Sequence, residues 1–413
     1  MYLLLGYGKS NQSIEKFLIK NNYNYVIYDD KKNINKLDLS NIKIIIKSNG
    51  IMNNHFILEE ARKLKIKIIS DLQLFYNINN DYNYCLVTGS NGKTTIVSLL
   101  ERCLNNTVSI GNNGLPFFNY INTNKNKILE VSSFMFENIN YINYKYNIIS
   151  NIYPTHLEHH KTFVNYIKCK ISFMKYLKKD SYVIYDMDDI ILNRLMDCYE
   201  VNKIPVSLNN EVALVYKKDN FIYYNNKKII NVNKLKIIGD HNIYNVMLVL
   251  GVILNHHLLK KDYVNQIYNY TGEKYRMEII YNKNGLKIIN DSKSTNFKAL
   301  RVAIESVSGK VLLIVGGKKR NDKYSLIDDY LNKIVSVYCF GENNNEFYNY
   351  FSNNNYNIKC YKYLTLEEVV NNIDDGNIDY ILFSPGSVSY DQFIDFEDRG
   401  ETFNKLIKNK YNF

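Results

Sequence analysis

The sequence has no tryptophan, four prolines and no CxxC pair among 413 residues. Its six cysteines (Cys85, Cys103, Cys169, Cys198, Cys339 and Cys360) lie far apart, which argues against a cysteine zinc site or a disulfide framework and suits a reducing compartment. No apolar run approaches the ~20 residues of a membrane span. The opening Met1–Gly6 moves straight into a strand and turn without a charged leader, so a cytoplasmic chain is expected. Basic runs interleaved with aromatics are missing too. The net charge of +11 comes from scattered lysines, which offer nucleic acid no stacking platform. Such a diffuse field suits small anions such as nucleotides instead.

With 46% hydrophobic and 23% charged residues the chain can fold as a soluble globule, and its length calls for two or three domains. The abundant Asn, Lys, Ile and Tyr read as codon bias rather than function. Tyr2–Leu5, Asn24–Tyr28 and Lys43–Ile46 read as strands, with a helix over Ser10–Lys20. This βαβ rhythm implies a small parallel sheet, whose carboxyl-end loops are where such sheets bind nucleotides. The polar stretch Asn77–Asn83 marks a boundary before strand Tyr84–Thr88. A long α/β region then runs to about Tyr275, and a third run contains strands Leu286–Asn290, Val311–Val315 and Tyr380–Phe383. Asn343–Asn345 and Asn353–Asn355 read as surface loops.

The strongest motif is Val87-Thr88-Gly89-Ser90-Asn91-Gly92-Lys93-Thr94-Thr95, set between a strand and a helix. Glycines let backbone N–H groups close on phosphates, the helix N-terminus adds positive potential, lysine neutralises charge and a threonine hydroxyl can hold magnesium. Glu130 follows at the end of strand Lys127–Leu129, before Ser132-Ser133-Phe134. Next comes Asn151-Ile152-Tyr153-Pro154-Thr155-His156-Leu157-Glu158-His159-His160. Its clustered histidines raise zinc as an alternative, since His156 and His160 share a face if the segment is helical. No further ligand sits at suitable spacing.

The shortened T-G-x-N-G-K-T-T form resembles the Mur ligases and the related folylpolyglutamate synthases. The resemblance runs in order through nearly the whole chain. It implies ATP binding at Gly89, Ser90, Asn91, Gly92, Lys93, Thr94 and Thr95, with Glu130 and Thr94 on one magnesium ion. His156 then corresponds to a ligand of a second magnesium, with Thr155 replacing the usual aspartate. Lys170, fourteen positions on, takes the place of a lysine carried as a carbamate. Gly239-Asp240-His241-Asn242-Ile243-Tyr244-Asn245 matches a segment whose amides, Asn242 and Asn245, lie near the nucleotide. Arg276 stands at the expected hinge arginine, with Tyr275 where the family has histidine, and Asp291 completes the ATP set.

Two further segments resemble the D-glutamate-adding members of the family. Asn290-Asp291-Ser292-Lys293-Ser294-Thr295-Asn296 is one, and the run from Ser384 to Gly400 is the other. They imply an amino-acid site at Lys293, Thr295, Ser389 and Phe396, with Arg320 (or its rival Lys319) on the substrate carboxylate. Ordinary helix packing remains the alternative for Phe396. The uridine-nucleotide site falls to Gly6, Lys9, Ser10, Asp29, Gly50 and Asn112.

The implied architecture is α/β in three domains. Residues 1–80 form a small Rossmann-like domain for the UDP substrate, 81–275 a P-loop ATPase domain with a parallel sheet, and 276–413 a Rossmann-like domain for the amino acid. The implied activity is ATP- and magnesium-dependent addition of D-glutamate to UDP-N-acetylmuramoyl-L-alanine through an acyl phosphate, in peptidoglycan precursor synthesis. Lys93, His156 and Lys170 are the implied catalytic residues, with no nucleic acid, no membrane insertion and a monomeric state. The rival readings are another ligase of the superfamily, such as a folylpolyglutamate synthase, and a non-catalytic nucleotide-binding paralogue.

Overall fold

The computed structural model describes residues 1–31, 37–237, 239–318, 324–353 and 356–413. Two compact units emerge: Met1–Leu235 with Asp240–Asn269, and Lys236–Gly239 with Tyr270–Phe413. No helix among the described residues is long and apolar enough to cross a membrane.

The first unit holds two sheets. The smaller contains β1 (Tyr2–Leu5), α1 (Lys9–Lys20), β2 (Tyr25–Tyr28), β3 (Ile44–Lys47), α2 (Phe56–Lys63), β4 (Lys67–Ile69) and α3 (Asp71–Ile78). Its parallel strands run in the order β2-β1-β3-β4. Both faces are covered, so β1 reads as an unbroken Leu-Leu-Leu rather than an alternation. Leu3 and Leu5 pack with Ile57, Leu58 and Ala61, whereas Leu4 faces Ile14, Leu18 and Leu72. The β1 and β3 carboxyl ends meet where the strand order reverses, which brings the Gly6–Ser10 turn beside Ser48.

The larger sheet is built from β5 (Cys85–Thr88), α4 (Lys93–Cys103), β6 (Thr107–Gly111), β7 (Asn126–Glu130), β8 (Tyr146–Ile149), α5 (Leu157–His160), α6 (Phe163–Lys170) and β9 (Tyr182–Asp186). It continues through α7 (Ile190–Met196), β10 (Asn202–Ser207), β11 (Val215–Lys218), β12 (Phe221–Tyr224), β13 (Lys227–Asn231), α8 (Asp240–Ile253) and α9 (Tyr263–Tyr268). The strand order is β13-β12-β11-β10-β9-β8-β5-β7-β6. Only β11–β12 and β12–β13 are antiparallel; the turn between the latter pair places Asn225 and Asn226 at positive φ, the primed geometry that suits hairpin twist. Helix α8 lies against α4, β9 and β10, and every residue from Asn245 to Ile253 is buried.

The second unit contains β14 (Glu278–Lys283), β15 (Leu286–Asn290), α10 (Phe297–Glu305), β16 (Val311–Gly316), β17 (Ile334–Phe340), α11 (Asn344–Ser352), β18 (Lys359–Lys362), α12 (Leu366–Asn371), β19 (Tyr380–Gly386) and α13 (Phe396–Tyr411). The order β14-β15-β19-β16-β17-β18 is parallel except for the β14–β15 hairpin, closed by Asn284-Gly285. Apolar residues again alternate between two covered faces: Leu313, Val315 and Leu382 on one, Leu312, Ile314 and Ile381 on the other.

One sequence expectation fails here. Asn343–Asn345 is not a surface loop but the start of α11. Asn343 donates to Ser387 Oγ at 2.8 Å and Asn344 to the Tyr363 carbonyl at 2.6 Å, so both side chains are buried with their NH2 groups engaged. Side-chain amides that tie a helix start to distant segments look in sequence like loop asparagines.

Candidate active site

The phosphate loop leaves β5 at Thr88 and enters α4 at Lys93. Its two glycines are required by geometry. Gly89 has φ +148°, and a Cβ there would lie 1.8 Å from Ser150 Oγ. Gly92 caps α4 at φ +82°, and a Cβ there would lie 2.4 Å from Asn245 Oδ1. The loop is braced from outside. Ser90 N donates to the Asn151 carbonyl at 2.9 Å, Asn91 N to Asn151 Oδ1 at 2.9 Å, and Ser150 Oγ to the Asn91 carbonyl at 2.6 Å. Ser90 Oγ also shares a hydrogen bond of 2.7 Å with the Tyr166 hydroxyl, which burial pushes up to about 12. Thr94 and Thr95 occupy the first turn of α4, with Thr95 buried.

Two lysines converge on the loop. Lys93 Nζ donates to the carbonyls of Gly89 and Ser90 at 2.8 and 3.0 Å. Lys170, from the last turn of α6 and 1% exposed, donates to the same Gly89 carbonyl at 2.9 Å. Burial first, and the nearby Lys93 charge second, hold Lys170 well below the usual lysine range. Its burial exceeds what its sequence neighbours Ile167, Cys169 and Ile171 imply.

Glu130 ends β7 beside the loop, 1% exposed. Oε1 accepts from Asn112 Nδ2 at 2.8 Å, while Oε2 is buried with no hydrogen-bond partner among the described residues. A buried carboxylate oxygen left bare is costly, and a divalent cation satisfies it. The donor set Thr94, Glu130, His156 and Lys170 fits magnesium on this ground, provided Lys170 bears an anionic group. His156 sits in the left-handed region at φ +54°, as the residue capping α5, with its ring 4.9 Å from that of Phe134. It therefore does not share a helical face with His160, because α5 begins only at Leu157. Thr155 is half-buried on the preceding turn.

Asn242 and Asn245 do share a face of α8, where Asn245 Nδ2 donates to Asn242 Oδ1 at 3.1 Å. Asn112 lies next to Glu130. The other uridine candidates gather on the small sheet. Gly6 closes against Ser48, Asp29 accepts from Tyr7 N at 2.9 Å, Lys9 and Ser10 open α1, and Gly50 sits on the loop after β3.

In the second unit Asp291 directly follows β15 and is 5% exposed. It accepts from Ser384 Oγ at 2.8 Å and from Met277 N at 3.1 Å, and burial raises it to about 7. Arg276 lies within its field. Lys293 Nζ sits 5.5 Å above the Phe396 ring, and Ser389 is buried one residue after Val388, whose carbonyl accepts from Lys318 N at 2.8 Å. Thr295 lies between β15 and α10. Arg320 and Lys319 lie outside the described residues.

Sequence reasoning assigned no role to Arg399, yet it organises this unit. Fully buried, it donates to Ser292 Oγ at 3.0 Å and to the carbonyls of Ser292 and Ser387, both at 2.8 Å. Burial lowers it to about 10. Its only sequence signal was the Arg399-Gly400 pair closing the C-terminal segment.

A glycine loop between strand and helix, with a bare buried carboxylate beside it and two lysines on its Gly89 carbonyl, has the make-up of a nucleotide-dependent enzyme. Comparison with known proteins gives the particular group. The Mur ligase middle domain matches residues 87–253. UDP-N-acetylmuramoylalanine--D-glutamate ligase of Staphylococcus epidermidis is 30% identical over 97% of this chain and 95% of its own length. That of Buchnera aphidicola subsp. Baizongia pistaciae is 32% identical over 88% and 83%. The solved UDP-N-acetylmuramate-alanine ligase of Thermotoga maritima shares the fold at TM-score 0.62 and 16% identity, covering 99% of both chains. The MurF ligase of the same organism, solved with ADP, does so at 0.62 and 17%, covering 99% of this chain and 95% of its own. The chain belongs to the Mur ligase family, ATP-dependent enzymes that form amide bonds.

Proposed function

We propose that the chain joins D-glutamate to UDP-N-acetylmuramoyl-L-alanine in the cytoplasm, as a step of peptidoglycan precursor synthesis. The observation that carries the chemistry is the convergence of Lys93, Lys170 and Glu130 on one phosphate loop. The substrates rest on the names of relatives matched over most of the chain and on the Ser384–Gly400 segment.

Residues 1–80 hold the uridine nucleotide, 81–275 hold ATP and 276–413 hold the amino acid. ATP phosphates lie along the backbone N–H groups from Ser90 to Thr95, where the α4 N-terminus favours negative charge. Lys93 leaves the loop carbonyls for the terminal phosphates, and Asn242, Asn245, Arg276 and Asp291 hold the rest of the nucleotide. Thr94 and Glu130 would hold one magnesium ion, and His156 with a carbamate on Lys170 a second. When bound, these ions neutralise charge on the transferring phosphoryl group and the carboxylate it joins. The muramoyl-alanine carboxylate attacks the terminal phosphate, ADP leaves, and an acyl phosphate forms. The D-glutamate amine then attacks the acyl carbon, releasing phosphate and a proton. Lys293, Thr295, Arg320, Ser389 and Phe396 orient D-glutamate, so positioning does most of the work.

The test is phosphate release with UDP-N-acetylmuramoyl-L-alanine, ATP and one amino acid at a time. Release with D-glutamate alone is expected. Release with L-glutamate on a folate substrate moves the chain to the sister enzymes.

A further inference from the structure

One buried ionic cluster takes no part in the chemistry above. Lys47, the last residue of β3, places its ammonium 2.8 Å from Glu137 Oε2, and Glu137 Oε1 lies 2.5 Å from His159 Nε2. The three side chains are 2%, 8% and 8% exposed. They come from separate segments. Lys47 precedes the Ser48–Gly50 loop, Glu137 ends the 3-10 turn Ser133–Phe136 that follows Glu130, and His159 lies in α5, the helix capped by His156.

His156 needs outside support. A non-glycine residue at φ +54° is strained, and a four-residue helix cannot hold its own start. Support comes from His159 Nε2–H donating to Glu137, from the hydrogen bond of 2.9 Å between Ser133 Oγ and His160 Nε2, and from the Phe134 ring against all three imidazoles. Buried polar contacts thus link Lys47 to the His156 turn through Glu137 and His159. On the other side, Lys47 lies within the field of buried Asp71, which is hydrogen-bonded to the Ser10 side chain in the first turn of α1.

We propose that Lys47, Glu137 and His159 are positioning residues: a buried charge relay that fixes the His156 turn for its metal and ties it to the loops of the small sheet. The proposal rests on His156 as a ligand of the second magnesium. Glu137, His159 and His160 bring ligating atoms within 4.8 Å of one another and could hold an ion themselves. The relay is favoured because the Lys47 ammonium already supplies the positive charge at Glu137, and Ser133 engages His160 Nε2. Removing Lys47 alone leaves a buried carboxylate without its cation, whereas removing both charges does not.

The experiment counts Mn2+ by electron paramagnetic resonance on the full chain with ADP bound, in wild type, Glu137→Gln, Lys47→Met, Lys47→Arg and the double variant Lys47→Met/Glu137→Gln. Glu137→Gln and Lys47→Met should weaken the weaker Mn2+ by about 10-fold or more and leave the tighter one within about twofold, as loss of a ligand's supporting partner does. Lys47→Arg should restore it. If Lys47→Met does not fold, the double variant carries the same comparison. Unchanged Mn2+ binding, or equal weakening of both ions, overturns the relay. So does loss of a third Mn2+ in Glu137→Gln, which would make the cluster a metal site. Wild-type phosphate release separates the two readings: an active enzyme with unaffected variants loses the relay alone. An enzyme inactive with D-glutamate whose variants lose the weaker Mn2+ loses the substrate assignment alone.

Discussion

The Gly89 carbonyl oxygen accepts hydrogen bonds from two lysines, Lys93 at 2.8 Å and Lys170 at 2.9 Å. Two ammonium groups on one carbonyl repel each other, and burial first, with the Lys93 charge second, pushes Lys170 well below the usual lysine range. The pair therefore divides the work. Lys93, at the mouth of the loop and partly exposed, meets phosphate, while Lys170 stands behind it with its amine buried.

Replacement of Lys93 tests the first half of that division. Lys93→Ala removes a surface charge and leaves the loop braced by Ser150 and Asn151. Turnover should fall by at least about 10²-fold, because charge neutralisation at the transferring phosphate is lost. The melting temperature should stay near wild type. Normal turnover in the folded variant would remove ATP from this loop.

Gly92→Ala tests the loop's shape instead. The new Cβ meets Asn245 Oδ1 at 2.4 Å and holds an alanine at φ +82°. A strain of about 1–2 kcal/mol should lower the melting temperature by about 2–8 °C. ATP binding should weaken as Asn245 is pushed aside. Calorimetric unfolding and ATP titration check both, and an unshifted variant would show the loop to be pliant.

Much of this was legible in the sequence. The strand–glycine–helix order predicted the loop and its neighbours, because backbone geometry at Gly89 and Gly92 admits few other residues. The unbroken Leu3-Leu4-Leu5 read as a buried strand for the same reason that it is one. Hairpin strand β14 was missed although Asn284-Gly285 announced its turn. The Lys47–Glu137–His159 cluster could not be read at all, since its partners lie 90 and 22 residues apart and only the packing of two sheets joins them. Lysine, glutamate and histidine read singly are surface residues.

Specificity should reside in the second unit. Lys293 over the Phe396 ring offers a cation and an apolar wall, a pairing suited to a carboxylate on a short carbon chain. Phe396→Ala should raise KM for D-glutamate by about 10-fold or more, equivalent to roughly 1.4 kcal/mol, and leave KM for ATP unchanged. L-alanine, L-lysine and diaminopimelate should not be used. A variant with unchanged KM for D-glutamate would return Phe396 to ordinary packing.

Asp291 gives a pH signature. Burial raises it from 3.8 to about 7, so between those values the folded chain holds a proton that the unfolded chain has lost. Stability from this group is greatest below pH 4, falls as pH rises towards 7 and is level above that. Asp291→Asn keeps an acceptor oxygen for Met277 N, turns an NH2 donor towards Ser384 Oγ, and cannot ionise. Relative to wild type it should be more stable at pH 8, by at most about 4 kcal/mol, and equal at pH 4. ATP-dependent activity should drop. Urea unfolding across pH 4–8 gives the comparison, and parallel curves for the two proteins would rule out a buried ionisation here.

Lys170 carries the riskiest prediction. A neutral, buried amine is the form that reacts with carbon dioxide, forming an N–C bond and releasing one proton to leave a carbamate. That anion would place a negative charge beside Gly89 and serve, with His156, as a ligand of the second magnesium. An unmodified lysine, charged or neutral, would bring no negative charge to a metal ion there. Lys170→Ala should therefore be nearly inactive and recover in part when acetate supplies a carboxylate in the vacated space. Activity of the wild type should fall on exhaustive removal of bicarbonate and return with it, and intact-protein mass spectrometry under mild conditions should show the added carbon dioxide. Full activity in Lys170→Ala, or indifference of the wild type to bicarbonate, would leave Lys170 as a buried amine that braces the Gly89 carbonyl and one magnesium ion to do the work of two.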